Sequence, residues 1–139
     1  YKKRGECYIE YKNVLKKLII ISIIPYGLLF LFLPNIFAFI FGESWGKAGI
    51  YAQILTPMFI VKFVTGPLSV MFVVAEKQRL DLYWQISLFL SILISIYLGF
   101  ILEKFQLTLI LFSASCTLMY LINGFMTFHF SRGILNKLN

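Results

Sequence analysis

Lys62 is the residue whose type and place most call for a chemical explanation, because it is the one charged side chain in a stretch otherwise uncharged from 48 to 75. An ammonium group in hydrocarbon is costly. It must face the protein interior or a wet cavity, where its use is to attract an anion such as a phosphate or carboxyl group. At 100° per residue, Lys62, Thr65, Gly66, Ser69 and Glu76 fall on one helical stripe, and Leu55 and Met58 extend it with flexible apolar groups. Pro57 and Pro67 each delete a backbone hydrogen bond in the same stretch, and lipid tolerates this only where neighbouring protein or water satisfies the freed carbonyl. Lys62, Thr65 and Ser69 are therefore the candidate cavity and substrate-binding residues. Two simpler readings stand beside this one. A lysine can snorkel toward an interface, or it can pair with a carboxylate on another segment. Glu76 is not that partner, since about 21 Å of helix separates the two.

Two further stripes mark helix faces. Ser87, Ser91, Ser95 and Gly99 place a small residue at every fourth position, a ridge that lets another helix approach closely and reads as helix packing. Ser113, Cys116, Thr117, Tyr120, Gly124 and Thr127 form a polar stripe with Asn123 on its flank. The expected destination of that stripe is the preceding span, with a lumen wall as the alternative.

Parts for an enzyme are lacking. The only Asp is Asp81, the only His is His129 near a membrane edge, and no pair of carboxylates shares a helical spacing inside an apolar run. Neither metal-ligand clusters, phosphate-cradling glycine loops nor nucleophile–base pairs occur, so no catalytic residue, no metal and no cofactor is expected. Cys7 lies in a charged stretch and Cys116 inside an apolar one, environments that do not meet in a disulfide.

The elements that must position these residues follow from composition. Of 139 residues, 60% are hydrophobic, 18% aromatic and 14% charged, and the mean hydropathy is +0.84. Globular chains carry roughly 25% charged residues, so this chain has too little polar surface to cover itself in water and its partner is the lipid bilayer. Residues 18–42, 82–102 and 105–128 contain no Asp, Glu, Lys or Arg, and 48–75 contains only Lys62. Each is long enough to cross a hydrocarbon core about 30 Å thick. The predicted fold class is all-α integral membrane with four transmembrane helices. Its parts are a lead-in or cytoplasmic loop over 1–17, a transmembrane part over 18–130 and a tail over 131–139.

The net charge of +7 would suggest nucleic acid in a soluble protein, but here it follows membrane topology. Lys2, Lys3, Arg4, Lys12, Lys16, Lys17, Lys77, Arg79, Arg132 and Lys137 fall on one side, and Lys47 and Lys104 on the other. The positive-inside rule puts both ends in the cytoplasm and leaves no basic face for a nucleic acid. Trp45, Tyr51, Tyr83 and Trp84 sit near span ends as interfacial anchors. Glu103 and Lys104 alone separate the last two runs, which forces an antiparallel helical hairpin. The start at Tyr1, with no short apolar stretch leading to a cleavage site, reads as a cut through a longer chain.

Wording specific to a family appears between 41 and 78. The string Phe41-Gly42-Glu43-Ser44-Trp45, then Ala48-Gly49, Tyr51, Ile54-Leu55 and Pro57, then Phe63, Pro67-Leu68-Ser69 and Glu76-Lys77-Gln78 resembles the late region of Wzx-type oligosaccharide flippases. These are polysaccharide biosynthesis proteins of the multidrug/oligosaccharidyl-lipid/polysaccharide exporter superfamily. The sequence departs from that pattern at Gly46, where related sequences tend to be bulkier and polar. The resemblance implies spans 9 to 12 of a 12-helix, two-lobe exporter in the bacterial cytoplasmic membrane, with a missing N-terminal part of its own chain. It further implies that undecaprenyl-pyrophosphate-linked oligosaccharide moves to the outer leaflet by alternating access, for O-antigen, capsule or exopolysaccharide synthesis. Members often carry a basic residue just before the Phe63 equivalent, which places Lys62 near the substrate's pyrophosphate or acidic sugars.

Two other functions stay open at this level. A multidrug or cation antiporter of the same superfamily needs a membrane-embedded carboxylate, and these four runs have none. A self-contained four-helix membrane subunit without transport activity needs a start codon close to Tyr1, whereas the flippase needs about eight further spans upstream.

Overall fold

The structure, a computed structural model, describes residues 6–132. Lys2, Lys3, Arg4, Lys137 and most of the 131–139 tail lie outside the described residues. Within them the chain is helical and contains no strand. Helix α1 spans Glu6–Phe41 and α2 spans Gly46–Thr65, after a 3-10 turn at Glu43–Trp45. A second 3-10 turn, Pro67–Ser69, leads into the short α3, Val70–Val74, and then come α4, Gln78–Ile101, and α5, Phe105–Ser131. Four stretches, Tyr8–Phe41, Glu43–Val74, Gln78–Ile101 and Phe105–Ser131, are long and apolar enough to cross a membrane. The protein is an all-α, multi-pass membrane protein.

Helix begins earlier than the apolar run does. From Glu6 to Lys17 half of the residues are good helix formers and none is Gly or Pro, so nothing separates the lead-in from the span and α1 is continuous through both. Where helices end, the backbone changes hand or loses a donor. Gly42 takes φ 98°, Glu76 φ 57° and Glu103 φ 51°, left-handed conformations that commonly close a helix and for which Gly is best suited. Between α2 and α3 the break falls at Gly66-Pro67, since Pro67 has no N–H to continue the ladder.

The helices pack in a non-sequential row, α1, α2, α5, α4. The start of α1 also reaches the end of α5, while α2 and α4 flank α5 without packing extensively on each other. The row inverts the distribution of a water-soluble core. Large apolar side chains point outward, with Phe39 at 91% and Phe100 at 80% exposure, whereas Ser22, Thr56, Thr65, Ser95, Ser113, Asn123, Thr127 and Ser131 are buried. Lipid tails solvate leucine as well as protein does, so contacts between spans rest on close approach and interhelical hydrogen bonds. Two apolar clusters sit at the end where α1 begins and α5 finishes. One joins Tyr11, Leu68 and Met71, and the other joins Phe72, Ala75 and Phe130. The rings of Phe72 and Phe130 meet edge to face at 5.3 Å.

The α1–α2 pair solves a specific backbone problem. Pro34 lies inside α1 and cannot donate to the carbonyl of Phe30. Gln53 of α2 donates its Nε2–H to that same carbonyl. A free carbonyl in hydrocarbon costs free energy, and the glutamine removes this cost while tying the two helices together. Gln53→Leu is therefore expected to destabilise the folded protein in detergent by about 1–3 kcal/mol, measured as a lowered midpoint of thermal unfolding. Gln53→Glu, protonated in that setting, is expected to recover part of the loss.

The α4–α5 hairpin is antiparallel. Ser95 Oγ and Ser115 Oγ are 2.9 Å apart, and the Trp84 indole N–H donates to the Met119 carbonyl at 2.9 Å. Gly99 lies so close to Thr108 that a Cβ there would sit 2.5 Å from Thr108 Cβ. On the small-residue ridge, Ser95 and Gly99 are buried against α5 and Ser91 is half-buried. Ser87 is exposed and donates to the Tyr83 carbonyl of its own helix at 2.9 Å.

Candidate functional site

The polar stripe of α5 meets mainly α2 and α1, and of its residues Tyr120 also reaches the preceding helix, which its sequence position suggested for the whole stripe. Ser113 Oγ donates to the Ile54 carbonyl at 2.7 Å. Gly124 faces Thr65, and Thr127 Oγ1 lies 2.9 Å from the Tyr11 hydroxyl. The reason is register. Residues 108, 112, 115 and 119 form the side of α5 that takes α4, and the 113, 117, 120, 124 line lies on nearly the opposite side of the same helix. A non-sequential neighbour could not be read from hairpin length.

The three candidate cavity residues are not brought to one point. Thr65 is buried and donates Oγ1–H to the Val61 carbonyl of its own helix at 2.8 Å. Ser69 belongs to the 3-10 turn, 3.0 Å from the Asn123 side-chain amide and 3.3 Å from the Thr65 carbonyl. Asn123 is completely buried. One hydroxyl proton cannot serve both of the acceptors assigned to Ser69, and that assignment also leaves Asn123 Nδ2 without a partner. With the amide turned over, Asn123 Nδ2 donates to Ser69 Oγ, which keeps its own proton for the Thr65 carbonyl, and the unpartnered position is then held by the amide oxygen. Ser69 and Asn123 thus fasten the α2–α3 break to α5. Glu76 leaves the stripe altogether, since the break and the left-handed Glu76 place it in the turn before α4.

Lys62 stands apart from this buried network. It is exposed within the chain, and its Nζ lies 5.9 Å from the centroid of the Tyr120 ring on α5. At that distance the ring face attracts the ammonium. Tyr120 in turn touches Trp84 of α4, centroid to centroid 5.6 Å at 56°. Three helices, α2, α5 and α4, thereby contribute Lys62, Tyr120 and Trp84 to one line of contacts. Trp84 is half-buried, with its N–H spent on the Met119 carbonyl, so it turns toward α5 and is not an anchor reaching for headgroups. Trp45 and Tyr83, by contrast, are exposed at 52% and 64%.

Lys62 does not stand at the middle of its span. Glu43–Val74 forms the second candidate span, and Lys62 stands about 18 Å of helix from its Val74 end against about 28 Å from its Glu43 end. The lysine is displaced from the centre toward the side that carries Lys12, Lys16, Lys17, Lys77, Arg79 and Arg132. Arg132 is itself ordered there by rings, with its guanidinium 4.5 Å from the Phe128 centroid and 5.3 Å from that of Tyr8.

Chemically, this arrangement offers one mobile cation beside fixed aromatic surface, on a span wall that the chain's own helices leave open. It offers no nucleophile paired with a base. Among the described residues no group of three His, Cys, Asp or Glu side chains is placed to hold a metal ion. Comparison with family models, curated proteins and solved structures gives no match. The functional reading therefore rests on residue chemistry and on the wording of residues 41–78.

Tyr120 and Trp84 are participants that the sequence marked only for other roles, a packing stripe and an interfacial anchor. Tyr120 had a signal, as the one phenol within the polar stripe of an apolar span. Trp84 lies at a span end in the sequence, where tryptophan ordinarily marks an interface, and only its hydrogen bond to α5 reassigns it.

Proposed function

We propose that the chain is part of a flippase that moves undecaprenyl-pyrophosphate-linked oligosaccharide across the bacterial cytoplasmic membrane by alternating access, with both ends of this segment cytoplasmic. The observation that carries the reading is Lys62, an ammonium inside a membrane span, uncovered by the chain's own helices and held beside Tyr120. A pyrophosphate that leaves water loses its hydration, and a cationic lumen offsets that loss while the polyprenyl tail stays in lipid. The off-centre position of Lys62, toward the basic and hence cytoplasmic side, suits capture of a substrate made in the cytoplasm. The resemblance over 41–78 supports the same class. Lobes that rock about a central site would alternately present that cation to the two leaflets.

The test is genetic and chemical together. Deleting the encoding gene is expected to abolish surface polysaccharide and to leave the lipid-linked oligosaccharide accumulated in the inner leaflet, with both phenotypes reversed by the intact gene. Normal surface polysaccharide in the deletion strain, with no accumulated lipid-linked precursor, would rule the function out.

A further inference from the structure

We infer that Tyr120 and Trp84 form an aromatic shelf on which the sugar next to the substrate's anionic linkage stacks while Lys62 holds the anion. The inference rests on the reading of Lys62 as an anion-binding group. It adds a specific role for two residues and a specific part of the ligand, the ring of the linkage-proximal sugar.

Geometry carries the argument. The Lys62 ammonium, the Tyr120 ring and the Trp84 ring follow one another at 5.9 and 5.6 Å, and the three helices that supply them meet because α5 lies between α2 and α4. The indole cannot swing freely, because its N–H is bonded to the Met119 carbonyl at 2.9 Å. The indole is therefore set in advance of any ligand, tilted 56° to the Tyr120 ring, and loses little freedom when one binds.

Chemistry selects the occupant. The quadrupole of an aromatic face is negative and attracts polarised C–H bonds, which a pyranose presents on its flat side. A cationic ligand would be repelled by Lys62, whereas an anion draws the ammonium off the Tyr120 face and leaves that face to the neighbouring ring of the ligand. A purely apolar ligand would strip water from that ammonium and return nothing. A molecule bearing both an anion and an adjacent saturated ring satisfies the ammonium and the rings together, which is the chemistry of a glycosyl pyrophosphate.

The two tryptophans of the sequence provide the readout. In the full-length protein, replacing every tryptophan except Trp84 with phenylalanine, Trp45→Phe among them, leaves one emitter at the shelf. Three probes are titrated in nanodiscs: inorganic pyrophosphate, undecaprenyl pyrophosphate without sugar, and undecaprenyl pyrophosphate carrying one N-acetylhexosamine. The glycosylated lipid is expected to change Trp84 emission and to bind roughly three- to tenfold more tightly than the sugar-free lipid, the range that aromatic contacts supply. Tyr120→Leu is expected to erase that preference while weakening both lipids somewhat, because the same ring holds the Lys62 ammonium, and Tyr120→Phe is expected to keep both the preference and the affinity. Lys62→Gln is expected to weaken both lipids. Equal affinities for the two lipids, still dependent on Lys62, would overturn the shelf and leave the anion site standing. Affinities indifferent to Lys62 would overturn both.

Discussion

Lys62→Ala is expected to abolish surface polysaccharide in cells where the variant accumulates to the normal level, and Lys62→Arg is expected to retain it. Alanine removes the only charge within residues 48–75, whereas arginine keeps a cation on a stem long enough to reach the same anion. A hydrogen bond to a charged group is worth about 1.5–3 kcal/mol, so the alanine variant loses one to two orders of magnitude in substrate affinity before any effect on the transport cycle is counted. The substitution is also a clean one structurally. Lys62 is exposed within the chain, with its ammonium beside the Tyr120 ring, so removing it opens no cavity, unlike truncation of a buried side chain. Normal export by the alanine variant at normal protein level would remove Lys62 from the transport path.

Gly49→Ala is expected to be the most damaging single-methyl change in the α1–α2 pair. Gly49 is buried where α2 crosses α1 at Pro34, and a Cβ added there would overlap the Pro34 backbone, with the Leu33 carbonyl oxygen and the Pro34 nitrogen both at 2.8 Å. These are main-chain atoms, so no rotamer change relieves the overlap and the helices must separate. Overpacking of this kind costs about 1–3 kcal/mol. Separation would also pull Gln53 from the Phe30 carbonyl that Pro34 leaves unpaired. Gly27→Ala supplies the contrast, because a Cβ at Gly27 meets nothing within 4 Å. There the change exchanges a poor helix former for the best one, worth up to about 1 kcal/mol in favour of the helix. Thermal unfolding in detergent is expected to rank Gly27→Ala at or above the unchanged protein and Gly49→Ala well below it. Equal midpoints for the two variants would contradict the close α1–α2 crossing.

The ease of reading the four spans and the difficulty of reading their order have one physical origin. Hydrophobic length is a property of each segment alone, so the four apolar stretches and the α4–α5 hairpin are legible from residue types and from the two-residue Glu103-Lys104 connection. Which face meets which neighbour is a pairwise property, and apolar spans carry only a weak signal for it because lipid and protein solvate leucine equally. The stripe through Ser113, Tyr120 and Thr127 is visible as a stripe, but its partner, α2, is two spans distant in sequence. Pro67 was legible as a break, and the break puts Ser69 in a turn beyond the helix of Lys62 and Thr65 and takes Glu76 off their stripe. The extension of helix back to Glu6 was hidden by polarity, because charge ends an apolar run without ending a helix.

One measurement bears most directly on the claim that Lys62 lines the path of an anionic, lipid-linked sugar. Full-length protein is reconstituted into vesicles containing lipid-linked oligosaccharide, and the rate at which the glycan becomes accessible to a lectin on the far side is recorded for the unchanged protein, Lys62→Arg and Lys62→Ala. Translocation by the first two is expected, with a rate no faster than protein-free vesicles for the third. Translocation by Lys62→Ala at the rate of the unchanged protein would take Lys62 out of the path.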